Sequence, residues 1–238
     1  MKRNEAFFFK RLKRKSHGFT LIELLVVIAI IALLLSLLLP GLKKARKQTQ
    51  TVICSSNMRQ IGFAAVLYAE ANDTYVPRGG SLGTWFKCFL PYLGQGYNIT
   101  DYRSVKIYRC PSFPDKKQTV CYVVSSWTFN DKNDLNGHEI TTPTRLSTFL
   151  HPMSTVYMAD NEEGSWRPVI QNESDPDIQR LDVWTATHLP ASNNTTDITN
   201  GRRVAKNRHR EGSNYLFLDW HAEYIPTKDM SVKFWRDK

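Results

Sequence analysis

The chain has 238 residues, 42% hydrophobic and 23% charged, a balance that excludes a disordered or collagen-like polypeptide. Its net charge of +10 is uneven. The first eighteen residues hold seven Lys or Arg (Lys2, Arg3, Lys10, Arg11, Lys13, Arg14, Lys15) against Glu5, a net of +6, while the remaining 220 carry 25 basic and 21 acidic side chains, a net of +4. The overall sign therefore makes no strong case for nucleic acid as a partner.

The basic segment leads into Phe19 to Leu39, FTLIELLVVIAIIALLLSLLL, which is 21 residues with one charge. As a helix it extends roughly 32 Å, enough to cross a hydrocarbon core of about 30 Å. A cleaved secretory signal has a shorter apolar core, about 7–15 residues, and a small-x-small site after it. No such site follows, and the first cysteine, Cys54, lies too far along for a lipoprotein signal. Seven Lys or Arg precede the run, and Lys43, Lys44, Arg46 and Lys47 follow it. The positive-inside count places the N-terminus in the cytoplasm and the bulk of the chain outside.

Ser16-His17-Gly18-Phe19-Thr20-Leu21-Ile22-Glu23-Leu24-Leu25-Val26-Val27, behind a basic leader, resembles the class III signal of type IV prepilins and type II secretion pseudopilins. That resemblance implies cleavage by a prepilin peptidase between Gly18 and Phe19, methylation of Phe19, and an assembly role for Glu23 at the fifth mature position. Pro40 falls at the 22nd mature position, where relatives often carry a helix-bending proline. Further along, Cys54-Ser55-Ser56-Asn57-Met58-Arg59-Gln60-Ile61-Gly62 and Tyr68-Ala69-Glu70-Ala71-Asn72-Asp73 resemble a CxxNLRQIGxAxxxYAxxN pattern of a pseudopilin-like branch. Cys110-Pro111-Ser112 is similar to its CPS element, and His151-Pro152 through Asp160 to its HP(S)xTVxxxD stretch. His209 and Asp219 match H-x9-DG, with Trp220 in place of the glycine, a departure that bears on any tight turn there.

Beyond Pro40, Ile53, Asn57, Ile61, Ala64, Tyr68 and Ala71 recur at helical spacing and predict one apolar stripe. The helix is expected from Phe19 to about Asn72, a rod of roughly 80 Å interrupted or bent at Pro40. Val120–Val124, Thr155–Ala159 and Asn214–Leu218 read as strands between turn residues. The fold class is α+β: a long N-terminal helix, its first half transmembrane, packed on a small antiparallel β-sheet head. The expected divisions are leader 1–18, transmembrane and assembly helix 19–40, amphipathic continuation 41–72, and extracytoplasmic head 73–238. A long polar surface insertion is expected near 161–207, partly ordered by Trp166 and Trp184.

Candidate sites in the head are few. Gly79-Gly80-Ser81-Leu82-Gly83 satisfies G-x-S-x-G, with Asp160 and His209 following in hydrolase order, but no strand–turn–helix context surrounds it, so a glycine-rich turn is preferred. Asp219, His221 and Glu223 alternate and would face one way on a strand, offering a cation site with His209 or Asp160. Calcium in some related pseudopilin heads adds to that reading. The preferred assignment is no metal and no cofactor, with His209 and Asp219 as structural partners. Arg202, Arg203, Lys206, Arg208 and Arg210 form a basic cluster read as a solvated face or an anchor for acidic neighbours. Cys54, Cys88, Cys110 and Cys121 allow disulfides outside the membrane, Cys110 with Cys121 and Cys54 with Cys88 among them, or free buried thiols. No C-x-x-C is present.

The expected function is a non-enzymatic pilin- or pseudopilin-like structural subunit, processed and assembled through its helix. Its partners are the prepilin peptidase, other subunits and the inner membrane. A membrane-anchored extracytoplasmic binding protein or hydrolase using the same N-terminus, and a filament-tip subunit recognising a ligand, are the alternatives.

Overall fold

The computed structural model describes residues 19–79, 85–94, 101–163, 181–194, 196–197 and 200–237. It divides into two compact units, one ending at Lys44 and the other running from Ala45 to Lys238. Helix α1, Leu21–Ala71, begins in the first and ends in the second. Thr20 caps it reciprocally: its Oγ1 accepts the Glu23 N–H at 3.2 Å, and Glu23 Oε2 accepts the Thr20 N–H at 2.9 Å. This capping box satisfies two donors that a helix start leaves unpaired. Of the interruption or bend expected at Pro40, the interruption is absent: the helix runs through that residue. Every residue from Phe19 to Lys44 is exposed, and this is the one described helix long and apolar enough to cross a membrane.

The second unit is built around a five-stranded sheet in the order β7-β2-β6-β8-β9. Its strands are β2 (Tyr122–Ser125), β6 (Val156–Asp160), β7 (Asp182–Val183), β8 (Gly212–Phe217) and β9 (Ala222–Pro226). Two small ribbons flank it: β1 (Tyr75–Val76) with β5 (Thr144–Arg145), and β3 (Trp127–Thr128) with β4 (His138–Glu139). The α+β class is as expected, and all three predicted strands are present within two residues of their predicted ends. The sheet is not purely antiparallel, since β7 pairs parallel to β2, Val124 opposite Asp182. That strand comes from the segment expected as a surface insertion. Leu181, Val183, Leu189 and Val204 are buried there, so its described parts complete the sheet edge. Trp166 lies outside the described residues, and Trp184 sits edge-on to His188.

Within this unit, α1 buries Cys54, Asn57, Met58, Ile61, Gly62, Ala64, Ala65 and Ala69. The predicted stripe is right at Asn57, Ile61 and Ala64. Ile53 and Ala71 are exposed instead, and Cys54 and Met58 take the inward positions. Gly62 brings the helix close to Leu216 and Trp220, and Ala64, Ala65 and Ala69 belong to the same buried core as Tyr157.

Candidate functional site

Two regions carry chemistry. The first is the N-terminal segment, of which Gly18 and the leader lie outside the described residues. Phe19 is 72% exposed at the start of α1, and Glu23, exposed one turn later, is held by Thr20.

The second region lies in the core beside α1. Cys54 projects from α1, Cys110 precedes β2, Asp160 ends β6, and His209 precedes β8. Each offers a ligand atom, and the four atoms lie within 4.8 Å of one another. All four residues are buried, the most accessible at 3%. His209 Nε2 is 3.3 Å from Asp160 Oδ2 and 3.5 Å from Cys110 Sγ. Its other nitrogen, Nδ1, is 3.4 Å from the Ser112 hydroxyl. Asp160 Oδ2 accepts the Asn214 N–H at 2.8 Å, and Tyr122 donates its hydroxyl to Cys54 Sγ at 3.8 Å. Cys121 is buried behind Cys110 and is hydrogen-bonded to its backbone.

Burial opposes charge on His209, yet hydrogen bonds from its ring to Asp160 and Cys110 outweigh that and lift its pKa to about 9. For Cys110, burial works against ionisation, but the Cys54 hydrogen bond and His209 bring the thiol down to about 6. Burial, with Cys110 and Asp160 alongside, pushes Cys54 far up and keeps it a thiol. Cys110 and Asp160 converge on the same ring nitrogen, so these two do not flank the imidazole as a nucleophile and its orienting acid do in a triad.

The other expected residues lie elsewhere. Asp219 sits in the turn between β8 and β9, where it accepts from His221 Nδ1 at 2.5 Å, and Glu223 is 3.7 Å from His221 Nε2. This group is at the far end of β8 from His209 and Asp160 and partly solvated. The partner of His209 is thus Asp160 and not Asp219. Cys54 is grouped with Cys110 and Cys121, while Cys88 exchanges a hydrogen bond with Tyr68; no disulfide joins any of the four. In the basic cluster Arg202 pairs with Glu162, Arg203 with Asp182 and Arg208 with Glu163, so it anchors acidic neighbours. Of the G-x-S-x-G segment only Gly79 is described. It packs where a Cβ would collide with Asp182 and Ser126, and Ser81 lies outside the described residues.

No local spacing announces the buried cluster, since its members are spread from position 54 to 209. The available signal is that Cys54, Cys110, Asp160 and His209 each fall in one of the four resemblance motifs that follow the apolar run.

Comparison with known proteins finds a family match near the N-terminus. Residues 13–39 match the prokaryotic N-terminal methylation motif. The type IV wide pilus major component PilA4 of Thermus thermophilus is 38% identical over 69 residues, covering 29% of this chain and 53% of the relative. The chain thus spans about half the length of that curated relative. No solved structure matches. The chain carries a type IV pilin-like class III signal.

Proposed function

We propose, from the type IV pilin-like class III signal, that this chain is a structural subunit of a type IV pilus or a type II secretion pseudopilus. In this reading a prepilin peptidase cuts between Gly18 and Phe19 and the new amine is methylated. The apolar part of α1 holds the subunit in the inner membrane, N-terminus cytoplasmic and head outside, and later packs against neighbouring copies. The observation that carries the reading is the methylation motif at residues 13–39 running directly into a helix whose apolar side chains are exposed to Leu42. Exposed apolar surface of this extent needs lipid or other helices to cover it. The role assigned is structural, with the chemistry performed on the chain by its processing enzyme.

Mass spectrometry of the N-terminus from cells that contain the peptidase tests this. The expected species starts at Phe19 and carries one added methyl group. Full-length protein with its leader intact, recovered from such cells, would falsify the assignment.

A further inference from the structure

We propose that Cys54, Cys110, Asp160 and His209 bind one zinc-class divalent cation, a structural site that ties α1 to the sheet of the second unit. Two sulfurs, one imidazole and one carboxylate suit zinc, whereas calcium takes six or more oxygens. Three anionic ligands and one neutral one also repeat the charge count of a Cys3His structural site.

The geometry is close to the required polyhedron. Bonds of about 2.0–2.1 Å to nitrogen or oxygen and about 2.3 Å to sulfur give tetrahedral edges of about 3.3 Å for N···O and about 3.6 Å for N···S. His209 Nε2 lies 3.3 Å from Asp160 Oδ2 and 3.5 Å from Cys110 Sγ. One nitrogen facing two acceptors is poorly explained by hydrogen bonding, because a single N–H cannot point well at both, but a cation between them satisfies all three. A second observation points the same way. Asp160 Oδ1, the second oxygen of the same carboxylate, is buried with no hydrogen-bond partner among the described residues, so the carboxylate keeps unused acceptor capacity of the kind a nearby cation takes up.

The outer contacts are those that metal ligands need. Ser112 holds the non-ligating nitrogen of His209, Asn214 fixes the carboxylate, and Tyr122 donates to Cys54. A cleft of about 280 Å³ lined by Gln50, Ser112, Arg208 and His209 adjoins the His209 side of the cluster. Binding exchanges the protons on Cys54 Sγ and His209 Nε2, with any still held by Cys110, for the cation and releases them to water. The rival chemistry is a Cys54–Cys110 disulfide, which would leave His209 and Asp160 as a simple ion pair.

The test uses the full chain, purified in detergent without chelators and supplied with zinc. Elemental analysis is expected to give one zinc per chain. X-ray absorption should report two sulfurs at about 2.3 Å and two lighter ligands at about 2.0–2.1 Å. Ser112→Ala should weaken zinc on the order of tenfold while keeping the stoichiometry. His221→Ala, at the surface group, should change neither. Cys54→Ala and His209→Ala should abolish binding, and the wild-type spectrum decides even if those variants fail to fold. The proposal is overturned by wild-type protein with four alkylatable thiols and no metal, by a Cys54–Cys110 disulfide in the intact mass, or by zinc retained with all-oxygen and nitrogen ligation.

Discussion

A Cβ placed on Gly62 would lie 3.4 Å from Trp220 Cβ and 3.2 Å from Leu216 Cδ1. The helix therefore meets the β8–β9 turn at its one glycine in the buried stretch from Cys54 to Ala69. An alanine gains helix propensity of about 1 kcal/mol and needs only a small shift of a flexible leucine tip. A larger side chain has to displace Trp220, whose carbonyl oxygen is 3.5 Å away. Gly62→Ala is expected to leave stability within about 1 kcal/mol, and Gly62→Leu to lose about 1–3 kcal/mol by overpacking. Thermal melts in detergent will separate them; equal melting points would show that the helix does not approach this closely.

Trp220 itself adopts φ 71°, a left-handed conformation, where the H-x9-DG pattern has glycine. The turn is nonetheless made, with Trp220 N–H donating to Phe217 O at 3.0 Å and Phe217 N–H to His221 O at 2.9 Å. The indole offsets the backbone cost by packing edge-on against Tyr157, ring centres 5.5 Å apart. Trp220→Ala loses the ring and keeps the strain, while Trp220→Gly loses the ring and relieves it. The alanine variant should be less stable than the glycine variant by about 1–2 kcal/mol. The opposite order in urea unfolding would mean that the backbone is not held left-handed.

How much of this was legible depended on whether the signal was local. Val120–Val124 and Asn214–Leu218 could be read as strands because each is an apolar run between turn residues, and burial on both faces follows from such runs. β7 is two residues long, inside a polar stretch, and gains its place from parallel pairing with β2, which no short window reports. The apolar stripe in the sequence coincides only in part with the buried flank of α1. Cys54 and Met58 carry it inward in place of Ile53, because the sheet, absent from the sequence pattern, decides which flank of the stripe is covered. Motif spacing pairs His209 with Asp219. From Asn214 to Asp219, however, β8 carries the chain roughly 16 Å away, while the neighbouring strand β6 ends with Asp160 beside His209.

The basic cluster gives a prediction about stability. Arg203 and Asp182 form a buried pair, and Arg203 also donates to the Asp182 carbonyl at 3.1 Å. Removing one partner strands the other charge away from water. Arg203→Ala should cost on the order of 3–5 kcal/mol. Arg210, which reaches Gln48 at 3.2 Å on the surface, should cost less than about 0.5 kcal/mol when replaced by alanine. Chemical denaturation of the two variants checks the contrast, and similar small losses would show that Arg203 is solvated.

The last prediction separates two roles for Glu23. Its carboxylate closes the capping box with Thr20, accepting both the Thr20 N–H at 2.9 Å and its hydroxyl at 2.8 Å. That local duty alone accounts for an acid near the start of an apolar helix. Under the proposed function, cleavage at Gly18 adds a positive amine on Phe19, and Glu23 pairs with the amine of a neighbouring subunit, setting helices in register. Glutamine distinguishes these, since it keeps a cap but carries no charge. Valine removes both and eases insertion into the membrane. Both variants should be inserted and cleaved normally. If charge pairing drives assembly, Glu23→Gln and Glu23→Val should each lose most of the filament yield in a strain without other subunits of this type. If capping is the whole role, Glu23→Gln should assemble like the wild type and Glu23→Val alone should fall. Electron microscopy of sheared filaments, with immunoblots for total subunit, reads the difference.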